Sequence, residues 1–154
     1  MNAVFRFATV LVIAAFVLPL AARARTAPAG YYKDQKVVYL NEGGLPDNAT
    51  YFGRLLHMIR NHLDAVGKDH VKIRVVDLGP GVDLLQLANT DKTIAGALDS
   101  LRASGVRFLV CANTLKARKI DWHTLYGVEA DDVVPSGVAE LARLQGMGFA
   151  YIHI

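Results

Sequence analysis

Hydrophobic and polar positions follow two different periods along this chain, and the two alternate. Residues 36–40 are apolar, β-branched or aromatic after one lysine, and the glycines that follow them predict a buried strand that ends in a loop. Across residues 52–66 apolar residues recur every three or four positions. This spacing predicts an amphipathic helix that Asp47 or Asn48 caps and Gly67 ends.

The later segments repeat this change of period. Further strands are predicted at residues 71–76, 106–111, 131–134 and 149–154. Helices are predicted at residues 83–88 and 93–104, from Asn113 or Thr114 to residue 118, and from Ser136 onward. Strict alternation of strands and helices favours a parallel sheet between helix layers, because each parallel crossover is long and packs its helix on one face. The sequence therefore predicts an α/β fold.

An apolar segment precedes this predicted domain. Residues 8–22 carry no charge, Arg6 lies before them, and residues 22–24 form a small-x-small site for a signal peptidase. We expect residues 1–24 to be a cleaved signal peptide, residues 25–34 to be a linker, and residues 35–154 to form a single domain in the periplasm. The alternative is an uncleaved anchor, which Arg23 and Arg25 would also suit, although an anchor needs about 20 apolar residues.

Composition and charge narrow the range of functions. The chain has 154 residues, and a hydrophobic fraction of 53% excludes a disordered protein. The formal net charge is +3, and it falls to +1 once the leader and its two arginines are removed. A nucleic-acid partner therefore has no support. We also expect no stable membrane association after cleavage of the leader.

Common catalytic and cofactor motifs give no positive signal. The turn at residues 79–81 has the first two glycines of a dinucleotide fingerprint, but Leu84 occupies the third position, so a turn that ends a strand is the better interpretation. The five histidines have no metal-ligand spacing. We therefore expect neither a metal nor a cofactor.

Cys111 is the sole cysteine, so the chain cannot form an intramolecular disulfide. It ends a predicted strand just before a predicted helix, where backbone N–H groups and the helix dipole lower a thiol pKa. A thiolate at this position could attack sulfur or carry it as a persulfide. The other interpretation is a small buried core residue, which is common for cysteine.

Further candidates lie in the loops at the carboxyl ends of the predicted strands, where ligands collect in parallel sheets. Glu42 could act as a base if the first and third strands lie close together, and His123 could reach the thiol. The candidate binding residues are Asn41, Glu42, Gly43, Gly44, Asn113 and Thr114. They are selected by location, without an assigned role.

Four segments together resemble the DsrE/DsrF family: residues 37–44, 111–115, 134–145 and 148–152. The resemblance implies a three-layer α/β/α sandwich with a mainly parallel five-stranded sheet, similar in its layers to flavodoxin-like and Rossmann-like folds. It also implies a homo-oligomer, a trimer or hexamer. Relatives pass sulfur along a relay as a persulfide on a cysteine near the end of a central strand, and Cys111 resembles that cysteine.

Two hypotheses follow. In the first, the protein is an extracytoplasmic sulfur carrier or sulfurtransferase-like protein whose Cys111 takes sulfur from a donor protein and delivers it to an acceptor protein. It would then be a carrier more than a turnover enzyme. In the second, it is a non-catalytic oligomeric module that binds a small ligand or a partner, with Cys111 as a buried core thiol.

Overall fold

The computed structural model of the protein describes residues 28, 30–44 and 47–154, so the predicted leader lies outside the described residues. The strands are β1 (Gln35–Asn41), β2 (Val71–Asp77), β3 (Arg107–Cys111), β4 (Val133–Val134) and β5 (Ala150–Ile152). The α-helices are α1 (Asn48–Val66), α2 (Asp83–Leu87), α3 (Lys92–Ala103), α4 (Ala112–Arg118) and α5 (Gly137–Gly146). Short 3₁₀ turns lie at Gly79–Val82, Trp122–Thr124 and Ala130–Asp132. None of these helices is long and apolar enough to cross a membrane.

The five strands form one sheet in the order β4-β3-β2-β1-β5, and every neighbouring pair is parallel. From β1 to β4 the chain steps in one direction across the sheet, then returns to place β5 beside β1. Right-handed crossovers in opposite directions put their helices on opposite faces. The predicted three-layer α/β/α fold is confirmed.

The core has one apolar layer on each face of the sheet. Val37 and Tyr39 face α1 to α3, whereas Val38 faces α5, because successive side chains of a strand point to opposite faces. On the α5 face, Leu141 and Leu144 pack against the second half of the strands. α5 is thus the helix that seals this face among the described elements.

Several predicted boundaries differ from the structure. The first three strands agree within one residue at each end, but α4 begins at Ala112, so its N-cap is Cys111 and not Asn113 or Thr114. The predicted strand at residues 131–134 is reduced to β4 because Asp131 and Asp132 belong to a 3₁₀ turn. The Asp132 carboxylate there accepts a hydrogen bond from the Glu129 N–H, which folds the chain back.

Candidate functional site

Cys111 is the last residue of β3 and the N-cap of α4, and it is a free cysteine with 6% of its surface exposed. Cys111 lies two residues after Leu109 on β3, and residues two apart on a strand point to the same face of the sheet. The Cys111 side chain therefore points to the face that α5 covers. Two helices therefore begin beside this side chain: α4, which follows it in sequence, and α5, which approaches from across the sheet.

The start of α5 lies close to the thiol because residue 137 has no side chain. A Cβ built on Gly137 would lie 3.2 Å from the Cβ of Cys111 and 3.0 Å from Leu78 Cδ2, which is tighter than ordinary packing. Ser136 caps the helix, with its Oγ accepting a hydrogen bond from the Ala139 N–H. The Gly137 N–H, at the start of α5, therefore lies beside Cys111.

The pKa of the Cys111 thiol is set by opposing effects. Burial acts to raise it, while hydrogen bonds from the Gly137 N–H, from the N–H and hydroxyl of Thr114, and from the Asn113 N–H act to lower it. The net result is a pKa below the ordinary value for cysteine. N–H groups of two helices stabilise the thiolate, which is the nucleophilic form of cysteine.

Thr114 connects the thiol to the turn that follows β2. The Gly79 N–H donates to Thr114 Oγ1 at 2.9 Å, so the threonine hydroxyl proton is free to donate to the sulfur. On its other side, the Gly79 carbonyl accepts from Arg118 Nη1 at 2.9 Å, and Arg118 Nη2 donates to Asp83 Oδ1 at 2.6 Å. Thr114 near the start of α4 and Arg118 at its end therefore both bind Gly79 in the turn after β2.

Asn41 and Gly43 hold the loops of the site together. Asn41 is fully buried, and its Nδ2 donates to Asp77 Oδ1 at 2.6 Å and to the Gly81 carbonyl at 3.0 Å. The Gly43 N–H donates to Asn41 Oδ1 at 3.2 Å, and the φ of +79° at Gly43 favours glycine. These contacts connect the loop after β1 with the turn after β2.

The remaining predicted residues lie at different distances from this centre. The exposed Glu42 carboxylate has its Oε1 3.3 Å from His153 Nε2, and β2 separates its strand from the strand of Cys111. The Gly44 N–H donates to Asn48 Oδ1 at 2.9 Å. Asn113 is exposed and serves the thiol through its backbone N–H. The structure therefore does not bring Glu42 to the thiol.

His123 is engaged elsewhere as well. Its Nδ1 lies 2.7 Å from Asp121 Oδ1, and its ring stacks on Trp122 at 3.8 Å between centroids. No contact between His123 and the thiol occurs in the described part of the chain. The hydrogen bonds that lower the pKa of Cys111 come from two residues of α4 and one of α5.

Asp77 ends the strand next to that of Cys111 but points to the opposite face of the sheet, with Ile73 and Val75, and it escaped the sequence analysis. It ends β2, is fully buried, and its Oδ2 lacks a hydrogen-bond partner among the described residues, as does the buried Tyr51 Oη. Burial raises the pKa of Asp77 to about 7, although the hydrogen bond from Asn41 and the charge of Arg102 oppose this. The available signal was a carboxylate at the carboxyl end of an otherwise apolar half-strand, Val75-Val76-Asp77.

Within residues 28, 30–44 and 47–154, no group of three or more histidine, cysteine or acidic side chains is arranged to hold a metal ion. The chemistry available around Cys111 is therefore that of one thiol and its N–H and hydroxyl donors, and the buried Asp77 carboxyl group lies on the other face of the sheet.

The fold and this site define a class: parallel α/β proteins with a single activated cysteine at the carboxyl edge of the sheet. The chain belongs to the DsrE/DsrF-like family, whose model matches residues 35–154. Membership supports a function of the sulfur-relay type. The resemblance found in the sequence is thereby confirmed at the level of the family.

A solved structure with the same fold comes from Methanobacterium thermoautotrophicum and is described as a protein of unknown function. It is 33% identical to this chain with a TM-score of 0.66, and the match covers 79% of this chain and 100% of that one. A search of the curated proteins gave no match.

Proposed function

We propose that this protein is an extracytoplasmic sulfur carrier that holds sulfane sulfur as a persulfide on Cys111. The observation that carries the proposal is the position of Cys111, which is the N-cap of α4 and lies against Gly137 at the start of α5. The lowered pKa of the thiol agrees with this position. A thiolate is the species that attacks a sulfane sulfur, so a lowered pKa raises the fraction of protein able to react at neutral pH.

The loading step balances with thiosulfate as the donor. The Cys111 thiolate attacks the outer sulfur of thiosulfate and forms the new S–S bond of the persulfide. The S–S bond of thiosulfate breaks at the same time, and sulfite leaves with the electron pair. No external oxidant or reductant is needed, because the sulfane sulfur is transferred without net redox change.

Unloading follows the same chemistry with a second thiolate. A cysteine thiolate of an acceptor protein attacks the terminal sulfur of the persulfide, and the Cys111 thiolate leaves. The N–H donors that stabilise the thiolate also stabilise this leaving group, because a thiol with a lower pKa leaves faster. The same geometry therefore serves both directions of transfer.

We infer the extracytoplasmic location from the apolar residues 8–22 and the small-x-small site that follows them. Familiar relatives act with cytoplasmic partners, so a secreted member needs a donor and an acceptor outside the inner membrane. Fractionation and N-terminal sequencing test this inference. A periplasmic protein that begins near residue 25 supports it, and recovery of full-length protein in the membrane fraction contradicts it.

The persulfide is tested by intact mass before and after incubation with thiosulfate or polysulfide. We expect the mass to rise by one sulfur atom, about 32 Da, with reversal by a reductant and no change in a Cys111→Ser variant. Absence of the adduct in folded wild-type protein contradicts the proposal. An adduct that persists in the Ser variant contradicts it as well.

One observation favours the alternative of a non-catalytic binding module: only 6% of Cys111 is exposed. The rate of alkylation by a small reagent between about pH 6 and pH 7 separates the two functions. The carrier requires fast labelling of the folded protein, whereas a packed core thiol is labelled only as fast as the site opens.

A further inference from the structure

A cluster of basic side chains lies at the amino ends of the strands, whereas Cys111 lies at the carboxyl end of β3. On the α5 face, the apolar residues occupy the second half of the strands, where α5 covers them. The first half of the same face carries four basic residues on three adjacent strands. They are Lys36 on β1, Lys72 and Arg74 on β2, and Arg107 on β3.

The strand register places these cations side by side. Lys36 is the partner of Lys72 across β1 and β2, and Arg74 is the partner of Arg107 across β2 and β3. Neighbouring strands lie about 4.8 Å apart, and like charges at facing positions destabilise a sheet. Lys36 and Lys72 are exposed and Arg74 is half-buried, so the three positive charges lie together where a dissolved anion can reach them.

Only part of this charge is neutralised within the described residues. Arg107 Nη2 lies 2.6 Å from Asp132 Oδ1. Lys36 Nζ donates to the Met147 carbonyl at 3.4 Å, and Arg74 Nη1 donates to the Ile73 carbonyl at 2.8 Å, so neither is paired with a carboxylate there.

The unpaired cations converge on a cleft of about 420 Å³ at the amino ends of β1 and β2. Four basic side chains line the cleft: Lys36, Lys68, Lys72 and Arg74. Two carboxylates also line it, and one of them, Asp34, is engaged with His70 at 2.8 Å. The cleft therefore has an excess of positive charge.

We infer that this cationic cleft binds a small multiply charged anion, of which a diphosphate is the simplest example. A volume of this size is typical of small-ligand sites. Lysine and arginine are the usual partners of phosphate groups, and an anion between facing cations removes their repulsion. The volume of the cleft matches a small anion and favours it over an extended bilayer surface. The site is separate from the thiol, and this inference stands without the proposed sulfur chemistry.

The test is titration of the full protein with inorganic pyrophosphate at low ionic strength, followed by calorimetry. We expect binding of one pyrophosphate per chain, weaker binding of orthophosphate, and a melting temperature that rises with pyrophosphate. The variant Lys72→Gln/Arg74→Gln should weaken binding by about tenfold or more. The matched variant Lys92→Gln/Lys116→Gln, which removes two exposed charges elsewhere, should leave it within about twofold.

Three results would overturn the inference. The first is the absence of pyrophosphate binding by folded wild-type protein, and the second is an equal loss in both double variants, which would indicate a general effect of net charge. The third is Lys72- and Arg74-dependent binding to vesicles with anionic lipid that pyrophosphate does not compete, which would indicate a membrane surface. The alkylation rate of Cys111, measured on the same variants, reports separately on the sulfur site.

Discussion

Cys111 combines two properties that usually oppose each other, near-complete burial and a lowered pKa. Burial in an apolar setting disfavours a thiolate, but the surroundings of this sulfur include N–H groups that would otherwise lack partners at the starts of two helices. The hydrogen bonds to the thiolate replace those of water. The residue thus has a stabilised thiolate while most of its surface is shielded.

The first prediction concerns the Thr114 hydroxyl. In Thr114→Val the sulfur loses one donor and the Gly79 N–H loses its acceptor. We expect the pKa of Cys111 to rise and the alkylation rate at pH 7 to fall by about fivefold, with a loss of about 1 kcal/mol in the free energy of unfolding. The measurement is the pH profile of alkylation. Thr114→Ser keeps the hydroxyl and should retain the wild-type profile; equal rates for all three proteins would contradict the prediction.

The second prediction concerns Asp77. Its pKa is about 7 in the folded protein and has the ordinary aspartate value when unfolded, so between these values the unfolded state releases a proton that the folded state keeps. The stability that this group contributes is complete below the ordinary pKa. It is lost, by about 1.4 kcal/mol for each pH unit, as the pH rises to about 7.

Urea unfolding at a series of pH values checks this. We expect Asp77→Asn to flatten the decline of stability between about pH 4 and pH 7, because the amide does not ionise. Asp64→Asn removes one exposed carboxylate from α1 and serves as the control. If the Asp77→Asn variant declines as steeply as the control, the buried carboxyl group is not the cause.

At the level of the elements, the sequence predicted those with a clear period and missed those set by single contacts. The stripe of α1 and the apolar runs of β1 to β3 were visible because burial on one face repeats along the chain. The start of α4 at Ala112 depends on the backbone at Cys111, and the short β4 depends on the turn at Asp132. Neither leaves a periodic trace.

The residues of the site show the same difference between features that a sequence pattern reveals and features that depend on single contacts. Cys111 could be selected from the sequence because it is the sole cysteine and ends an apolar strand. The donor from Gly137 could not, since it comes from a helix 26 residues later that crosses to the far edge of the sheet. Asp77 escaped because its unusual pKa arises from complete burial, which a single acidic letter does not reveal.

The third prediction concerns the turn after β2. A Cβ at Gly81 would overlap the carbonyl oxygen of Asn41, which is backbone and cannot rotate away. We expect Gly81→Ala to lower the free energy of unfolding by more than about 3 kcal/mol. Gly79→Ala is the matched control, because Gly79 has a φ of +54° but open space around it. It should cost about 1 kcal/mol.

Chemical denaturation of both variants gives the comparison. Because Asn41 and the turn also position Gly79 beside Thr114, the Gly81→Ala variant should label more slowly at Cys111 even where it remains folded. Equal stabilities for the two variants would contradict the steric account.

At the scale of the whole molecule, three exposed apolar side chains lie on α5, on its C-cap and on β5. Val138 is 69% exposed, Met147 50% and Tyr151 44%. Exposed apolar residues of this kind are normal when they are isolated. The family resemblance implies a trimer or hexamer, and this stays a prediction that substitution at these positions can test.

The fourth prediction is therefore an oligomer, measured by light scattering after size exclusion. We expect a trimer or hexamer for the wild-type protein and a smaller species for Val138→Lys, since a buried charge without a partner opposes association. Met58→Lys, at an exposed site on α1, is the control. A monomeric wild-type protein at micromolar concentration would contradict the prediction.

The position of β5 has a consequence for biosynthesis. Val37 of β1 pairs with Ala150 of β5, so the edge of the sheet is completed only after nearly the whole domain has been synthesised. Contacts between such distant parts of a chain form slowly. Until residue 152 leaves the ribosome, β1 lacks one neighbour and the α5 face of the sheet is open. We therefore expect the pairing of β5 with β1 to be a late step in the folding of the domain.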